Sequence, residues 1–434
     1  MEKSRSLPEL GDVIQAQSNA IYDWLRANDF PQPSWSREAS LRTPPYPSAI
    51  EERRAELLEA LDELRALVLG PNSYLFFASF ISPVWISVFN VLYRYRIAQH
   101  VPDDGAISYA DLSERCGLTE SDTRLIVRAA RSLRIFEESP AGFVSHNIAS
   151  ASLATTLVHD SVGFATEEYV PAAMRFAEAL QRFPGSDKAS ESAIAIANGS
   201  VGERDIFSAI SHDAARVERF ANAMSWVTTV PETSSSHFVD NVPWAAAGNP
   251  TMKGSPKVVV DVGGSRGDLC EALLRKYPDI EKAIVEDLPA VTKSNLERPP
   301  SDVANRMEYR AYDFFTKQVV RNADVYIFRT VLHDWPDSYA IQILQNQVPA
   351  MKPRARILIN DICIDAQQAT NSINMQAKCA HDLMVKMGLN AKERTRGEWE
   401  VLLKSADARF RIESIITPPY SVHSIIEVVW QGGA

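Results

Sequence analysis

The stretch VVVDVGGSRGDLCEALLRKYP, residues 258–278, decides the fold prediction. It begins with a run of β-branched residues, which is typical of a strand buried on both faces. The chain then turns through Gly263, Gly264 and Gly267 into a segment whose apolar residues share one helix face. Glycines let a ligand approach the backbone, and a helix N-terminus offers free N–H groups. The stretch therefore predicts a strand–turn–helix unit with a ligand site at the turn.

Similar short apolar runs recur downstream, and most are followed by helical stretches. They lie at residues 282–289, 307–315, 323–333 and 354–364. This alternation is typical of a parallel sheet with helices on both faces. The last segment, residues 410–430, predicts two strands joined through Pro418 and Pro419 as an antiparallel hairpin. We predict an α/β, doubly wound domain over residues 251–434 with a C-terminal antiparallel hairpin strand.

The preceding half of the chain predicts mainly helices, divided into residues 1–150 and a helical connector, residues 151–250, that contributes to a substrate pocket. Within the first part, residues 109–147 predict a short helix, a turn at Gly117, a second helix and two short strands. This is a winged-helix pattern, which occurs in DNA-binding proteins. Because acidic residues surround it, we favour a protein-contact module instead.

Charge and cysteine usage restrict the partners and the compartment. The formal net charge is −10 and the pI is about 5.4, which opposes nucleic-acid binding because phosphate contacts depend on Lys and Arg. The four cysteines form no CxxC pair, so we expect core residues in a reducing compartment. The start, MEKSRSLPEL, lacks the layout of a signal peptide. The sequence therefore predicts a cytoplasmic protein.

One uncharged segment is long enough to cross a bilayer. Residues 73–93, SYLFFASFISPVWISVFNVLY, contain Pro83 at their middle and several polar residues. We therefore predict two helices broken at Pro83 and buried in a core or a subunit interface, without a membrane span.

The acid that ends the first strand indicates the ligand. A dinucleotide fingerprint, GxGxxG, requires glycine at Val262, whereas an acid followed by xGxxxG is the usual form of an S-adenosylmethionine (SAM) loop. Asp261 is then expected to face a cationic amine. Asp287, at the end of the next strand, is placed for the ribose hydroxyls, and Asp313, which is expected to close the third strand, for the adenine amino group.

A second motif, FRTVLHDWPD at residues 328–337, predicts the catalytic residues. His333 is expected to end the fourth strand, Asp361 ends the next one, and Glu393 lies in a polar loop. A histidine held by carboxylates is the arrangement of a general base. The pattern HDxxD also suggests a metal site, but its members lie across a helix that starts at Pro336, so we predict no metal.

Taken together, these motifs resemble the fungal polyketide-type branch of the plant-caffeate-like O-methyltransferases. The resemblance covers residues 21–430 and rests on DVGGSRG, EDLP, HDWPD and KERT, with YDWLRANDFPQPSW and SIIEVVW. It implies a class I SAM-binding domain and an N-terminal region used for homodimerisation. It further implies a base at His333 with flanking carboxylates, and a set of SAM contacts at Gly263, Asp287, Asp313, Phe314 and Arg329.

Two positions depart from the pattern of that branch. Ser265 stands where the loop usually has a third glycine, and Asp361 is shorter than the glutamate often found there. The shorter side chain is expected to loosen the hold on His333.

The predicted reaction is methyl transfer from SAM to a phenol or enol hydroxyl of a small, polyketide-derived secondary metabolite. Asp334, Met224, Met384 and Met387 are the candidate substrate contacts, although methionines at helical spacing are also typical of a core. Two alternatives stay open: a SAM-binding cyclase or pericyclase on the same fold, and a SAM-sensing DNA-binding regulator. The histidine with its carboxylates favours methyl transfer, and the acidic charge opposes the regulator.

Overall fold

A computed structural model describes residues 5–41, 43–244, 255–296, 302–364 and 373–432. The chain divides into two compact units. The first comprises residues 1–171 and 210–229, and the second comprises residues 172–209 and 230–434. This division differs from the three parts predicted from the sequence, because residues 210–229 return to the first unit. The predicted boundary at residues 250 and 251 lies outside the described residues.

Up to residue 244 the described chain is mainly helical. Its α-helices are α1 (Leu7–Ala27), α2 (Ser48–Phe76), α3 (Ser82–Arg94), α4 (Ile97–His100), α5 (Tyr109–Cys116), α6 (Glu120–Ser132), α7 (Ile148–Ala154), α8 (Thr156–Phe164), α9 (Val170–Ala173), α10 (Phe176–Arg182), α11 (Ala193–Asn198), α12 (Ile206–Ile210), α13 (Ala214–Val227) and α14 (Ser235–Asn241). Its short strands are β1 (Ala106–Ser108), β2 (Glu137–Glu138) and β3 (Phe143–Ser145).

After residue 255, strands and helices alternate. The strands are β4 (Val258–Val262), β5 (Lys282–Asp287), β6 (Met307–Ala311), β7 (Val325–Arg329), β8 (Arg356–Asn360), β9 (Cys363–Ile364), β10 (Arg394–Thr395), β11 (Phe410–Ile416) and β12 (Ile425–Trp430). The helices are α15 (Asp268–Lys276), α16 (Pro289–Leu296), α17 (Asp337–Gln347), α18 (Ile373–Leu389) and α19 (Arg396–Ala406).

The large sheet of the second unit confirms the predicted fold class. Its strand order is β11-β12-β8-β7-β4-β5-β6. The strands from β8 to β6 pair in parallel, whereas β12 runs antiparallel to both β8 and β11. The chain moves outward from β4 in one direction through β5 and β6, and in the other through β7 and β8. This reversal creates a crevice at the carboxyl ends of the central strands, where open α/β sheets bind ligands.

The central strands of the sheet are apolar and are covered on both faces. Val259, Ile327 and Leu358 belong to one buried cluster, which includes residues of α15. Their neighbours Val260 and Phe328 belong to another, which includes residues of α17 and α19. Successive strand residues point to opposite faces, so continuous apolar runs supply both cores.

The first unit contains the helices and hairpin predicted for residues 109–147. Thr119 caps α6, and Gly117 ends α5 with a φ of 70°. The strands β2 and β3 pair antiparallel, and β1 joins β3 from the other side. These elements pack around a core that includes Leu112 and Val127.

The apolar segment at residues 73–93 differs from the prediction in its burial. Pro83 lies in the first turn of α3, after a π-helical turn, Phe77–Ile81, and Gly70 kinks α2 with a φ of 69°. The stretch Ser48–Arg94 is long and apolar enough to cross a membrane, and 11% of its apolar window is buried. Val88 and Leu92 of α3 are buried in the core of the first unit, whereas residues 73–80 are exposed in this chain. Burial in the chain's own core is therefore confirmed for part of this segment only, and burial in a subunit interface stays a prediction.

The cysteines also differ from the prediction in part. Cys270 and Cys363 are buried, Cys116 is half-buried and Cys379 is exposed. Cys379 lies on α18, on a face that this unit leaves open to solvent.

Candidate active site

The turn after β4 is built to bring the backbone close to a ligand. The N–H groups of Gly263 and Gly264 donate to the carbonyl oxygen of Glu286, over 2.8 and 3.1 Å. A Cβ atom at Gly264 would lie 2.6 Å from Oδ2 of Asp261, and Gly263 has a φ of 75°. Because neither position leaves room for a side chain in this conformation, the turn lies directly over the Asp261 carboxylate.

Asp261 is a buried acid at the carboxyl end of the central strand. Its side chain accepts a hydrogen bond from the thiol of Cys270 over 3.7 Å, and the residue is 2% exposed. Burial raises the pKa of Asp261 to about 7, against the charge of Arg329, which lowers it. A cation bound beside this carboxylate lowers its pKa again, so the group fits the cationic amine of SAM.

The second acid, Asp287, binds the turn itself. Its Oδ2 accepts the N–H of Ser265 over 2.9 Å, and its Oδ1 accepts the N–H of Leu288 over 2.7 Å. Burial raises its pKa. These bonds fix the carboxylate at the end of β5, next to the glycine turn.

Asp313 and Phe314 follow β6 at the same edge of the sheet. Asp313 does not close β6, which corrects the prediction, because the strand ends at Ala311. Asp313 lies two residues beyond the strand and is exposed, and its carboxylate accepts the N–H of Phe315 over 2.9 Å. Phe314 is half-buried and contacts Trp335 edge-on, with ring centroids 5.9 Å apart.

Arg329 is the last residue of β7, the strand that pairs with β4. One terminal nitrogen of its guanidinium donates to the carbonyl of Thr233 over 2.8 Å, while its Nε is buried without an acceptor among the described residues. Burial lowers the pKa of Arg329, and the charges of Asp261 and Asp361 oppose that effect. The unpaired donor is available to a ligand oxygen.

Ser265 adds more backbone strain to the loop than the sequence alone indicates. Its φ is 48°, in the left-handed region that favours glycine. A non-glycine residue pays about 1–2 kcal/mol there. The departure from the glycine pattern therefore adds backbone strain at Ser265.

His333 does not end a strand, which corrects the prediction. The strand β7 ends at Arg329, Thr330 adopts a left-handed φ of 51°, and His333 follows in a short 3₁₀ turn, Leu332–Asp334. Because a left-handed residue breaks the extended conformation, the chain turns before the histidine is reached. The turn still places His333 beyond the carboxyl end of the sheet.

The imidazole of His333 lies between carboxylates. Its Nδ1 is 2.7 Å from Oε1 of Glu393, and its Nε2 is 3.5 Å from Oδ1 of Asp334. Asp361 contacts the backbone and not the ring, since its Oδ2 accepts the N–H of His333 over 3.1 Å. The shorter Asp361 therefore holds the turn, while Glu393 holds the ring.

The charges of the histidine and the carboxylates shift one another's pKa values. Burial alone lowers the pKa of His333, but the charges of Glu393, Asp334 and Asp361 outweigh it and raise the pKa to about 10. Burial raises the pKa of Asp334 and of Asp361 to about 6, and His333 opposes both shifts. The site therefore holds a strongly basic imidazole in a buried environment.

Arg394, one residue after Glu393, was not identified from the sequence. It is fully buried and donates to the carbonyls of Leu332 and Trp335 over 3.0 and 2.8 Å, on either side of the histidine turn. It also donates to Asp337 over 2.9 Å. The only sequence signal for this role is a basic residue directly beside a catalytic acid.

Asp382 was missed as well. Its Oδ1 accepts the N–H of Glu393 over 2.8 Å and so fixes the acid that binds the imidazole. Both residues bind the segments that carry His333 and Glu393 and do not belong to the predicted set. Within the described residues, no cluster of three or more His, Cys, Asp or Glu gathers as a metal site.

The three methionines predicted to contact the substrate lie on two different helices. Met384 and Met387 lie on α18, and Met384 is 36% exposed. Met224 lies on α13 in the first unit and is 40% exposed. The alternative of a core role is therefore wrong for Met384 and Met224, whose side chains are open to solvent.

A doubly wound sheet with a glycine turn and acids near successive strand ends is the arrangement of an α/β enzyme that binds its ligand at the carboxyl ends of the strands. The O-methyltransferase domain family matches residues 245–409 of the chain. The chain is 31% identical to O-methyltransferase kk1A of Curvularia clavata, covering 98% of this chain and 97% of the relative. It is 33% identical to chlorophenol O-methyltransferase of Trichoderma longibrachiatum, covering 97% and 89%.

The chain therefore belongs to the O-methyltransferase family and is a SAM-dependent O-methyltransferase. Its fold is also that of a solved structure described as a pericyclic reaction enzyme. The two share 21% identity with a TM-score of 0.73, covering 97% of this chain and 100% of the other. That likeness concerns the fold alone.

Proposed function

We propose that this enzyme methylates a phenol or enol hydroxyl of a small, polyketide-derived secondary metabolite, with His333 as the general base. The observation that carries the proposal is the 2.7 Å contact between Nδ1 of His333 and Oε1 of Glu393. This contact holds a proton on Nδ1, so in the neutral ring, which forms at alkaline pH because the pKa is raised, the lone pair of Nε2 can take the proton of the acceptor hydroxyl. The relative from Trichoderma longibrachiatum is named for a phenolic acceptor, which supports this substrate class.

The raised basicity of His333 suits a phenol. A phenol has an ordinary pKa of about 10, and the pKa of His333 is raised to about 10. When donor and acceptor are matched, the proton moves between them at little cost, and the site gains an oxyanion beside an imidazolium. Glu393 stabilises the imidazolium that results, because it is buried and bonded to the other ring nitrogen.

The residues around the glycine turn fit the cofactor. SAM supplies an electrophilic methyl group when it is bound. Asp261 offers its buried carboxylate to the amine, Arg329 offers its unpaired Nε to the carboxylate, and Asp287 lies beside the turn for the ribose hydroxyls. Gly263 keeps the approach open, and Asp313 and Phe314 border the adenine position at the next strand end.

The first test is replacement of the base. We expect the variant His333→Ala to lose methyl transfer to a panel of aromatic polyketides, while isothermal titration shows SAM binding unchanged. His212→Ala serves as the matched control, since His212 is exposed in the first unit. Full activity of His333→Ala removes the proposed base.

A second candidate function is a SAM-assisted cyclisation or pericyclic reaction. The fold shared with a pericyclic reaction enzyme supports it, and a cationic His333 can also donate a hydrogen bond to a polarised oxygen. The products distinguish the two functions. Methyl transfer raises the substrate mass by one methyl group and forms S-adenosylhomocysteine, whereas a pericyclic reaction leaves the mass of its substrate unchanged and consumes no SAM.

We further propose a homodimer that covers the apolar segment at residues 73–93. Several large side chains there are exposed in the single chain, with Leu75 at 61%, Phe80 at 68% and Val84 at 56%. A contiguous apolar patch of this kind is typical of an obligate interface. Light scattering should give the mass of two chains for the wild type and of one chain for Phe80→Glu. Flotation of the wild type with liposomes argues instead for a membrane surface.

We propose a cytoplasmic location, because the described cysteines are free and the net charge is strongly acidic. Subcellular fractionation tests it, and recovery of the enzyme in a secreted or organellar fraction contradicts it.

A further inference from the structure

A second histidine lies beside the proposed base, and the chemistry described so far does not use it. His381 is half-buried on α18, directly before Asp382, whose carboxylate accepts the N–H of Glu393 over 2.8 Å. The helix packs against the turn that carries His333. Within the part of the chain that the structure describes, the ring of His381 makes no hydrogen bond. An unpaired imidazole therefore stands next to the catalytic pair.

His381 interacts electrostatically with the residues of the site. Burial lowers its pKa, the charge of Glu393 opposes that shift, and the charge of His333 adds to it. His381 also interacts electrostatically with the buried His423, and so does Arg329. The ring is thus within electrostatic range of both His333 and Glu393. A neutral imidazole offers one hydrogen-bond donor and one acceptor.

The helix also offers a surface for the rest of an aromatic molecule. Met384 is three residues after His381, so the two side chains share one face of α18. Met384 is 36% exposed, and its flexible thioether adapts to flat apolar ligands. One polar and one apolar side chain therefore lie on one face of α18, the helix that contacts the turn of His333.

We propose that His381 binds a second oxygen of the acceptor, so that the enzyme selects phenols or enols that carry a hydroxyl or carbonyl beside the hydroxyl to be methylated. This inference rests on the proposed methyl transfer at His333. A site built to hydrogen-bond an oxygen discriminates against an analogue that lacks it, because its polar group is then left unpaired. Catechols and aromatic ketones with an adjacent hydroxyl belong to the selected class, whereas isolated phenols do not.

The experiment compares two acceptors in several variants. One acceptor is an ortho-hydroxy aromatic ketone, and the other is the same phenol without the carbonyl. In the wild type we expect kcat/KM to be roughly tenfold higher or more for the ketone, the factor that one hydrogen bond of about 1.4 kcal/mol provides. His381→Ala should remove this preference through KM, and His381→Asn should restore part of it because its amide keeps a donor and an acceptor.

The possible negative results contradict different proposals. If the wild type methylates neither acceptor nor any other phenol, the proposed function fails. If the wild type methylates both but does not discriminate, or if His381→Ala lowers kcat/KM equally for both, the role of His381 is overturned. The pH profile of kcat should be unchanged in His381→Ala, since His333 and Glu393 are intact. His212→Ala is the control, and wild-type discrimination tests the proposal even when a variant does not fold.

Discussion

Oδ1 of Asp334 lies 3.5 Å from Nε2 of His333, the ring nitrogen proposed to take the acceptor proton. Two carboxylates therefore flank the imidazole, with Glu393 on one nitrogen and Asp334 on the other. Their combined charge accounts for the raised pKa of His333, although the site is buried. An unusually basic histidine suits the deprotonation of a weakly acidic hydroxyl.

Removing the charge of Asp334 should move the activity profile to lower pH. The raised pKa of His333, about 10, predicts that kcat/KM of the wild type rises through neutral pH into the alkaline range. Two unit charges about 4 Å apart interact by roughly 4 kcal/mol near a protein surface, and one pKa unit corresponds to about 1.36 kcal/mol. Asp334→Asn should shift the rising limb down by about one pH unit or more. A limb that stays in place shows that Asp334 does not set the basicity of His333.

Glu393 and Asp361 should differ sharply in their effect on catalysis. Glu393→Gln replaces the acceptor at Nδ1 with an amide that can favour the wrong ring tautomer, so kcat should fall about 10²- to 10⁴-fold. Asp361→Asn keeps an oxygen that accepts the backbone N–H of His333, so its loss should be much smaller. Steady-state kinetics with saturating SAM measure both variants. Equal losses contradict the division of roles between ring and backbone.

The glycine turn should tolerate no side chain at Gly264. A Cβ there lies 2.6 Å from Oδ2 of Asp261 and 2.9 Å from Val285, so the turn must shift in Gly264→Ala. We expect SAM affinity, measured by isothermal titration, to weaken roughly tenfold or more, equivalent to about 1.4 kcal/mol. Gly397→Ala is the control, because nothing lies within 4 Å of its Cβ position. Unchanged affinity in Gly264→Ala indicates that the cofactor does not approach this turn.

Glu286 should limit stability above neutral pH. Its side chain is fully buried, and burial raises its pKa to about 7 from the usual 4.5, although Gln318 donates to it over 2.7 Å. Because the folded pKa is the higher one, this contribution to stability is complete below about pH 4.5 and is lost as the pH rises through 7. Glu286→Gln removes the ionisation. At pH 8 it should therefore raise the free energy of unfolding by about 2–3 kcal/mol.

Urea unfolding at pH 5 and pH 8 measures the effect of Glu286→Gln. Glu281→Gln is the control, since Glu281 forms an exposed ion pair with Lys257 and such pairs contribute little. A gain of the same size at both pH values contradicts an origin in the buried charge.

Local sequence patterns determined the sheet, the glycine turn and the identity of the main polar residues. Continuous β-branched runs that alternate with helices predict a parallel sheet buried on both faces. The strands β4 to β8 lie where these runs predict them. The acids at strand ends could be read from the chain because parallel strands bring their carboxyl ends to one edge. Asp261, Asp287 and Asp361 accordingly follow or end the strands expected of them.

Only the tertiary structure decided how these groups meet. The left-handed Thr330 moves His333 off the strand, and Asp361 binds its backbone where ring contact was expected. Arg394 and Asp382 bind the segments that carry the proposed pair, His333 and Glu393. The exposure of residues 73–80 and the position of His381 beside the site also escaped the sequence. Hydrophobic periodicity reports which face of an element is buried, whereas hydrogen-bond partners and shifted pKa values depend on distances between segments far apart in the chain.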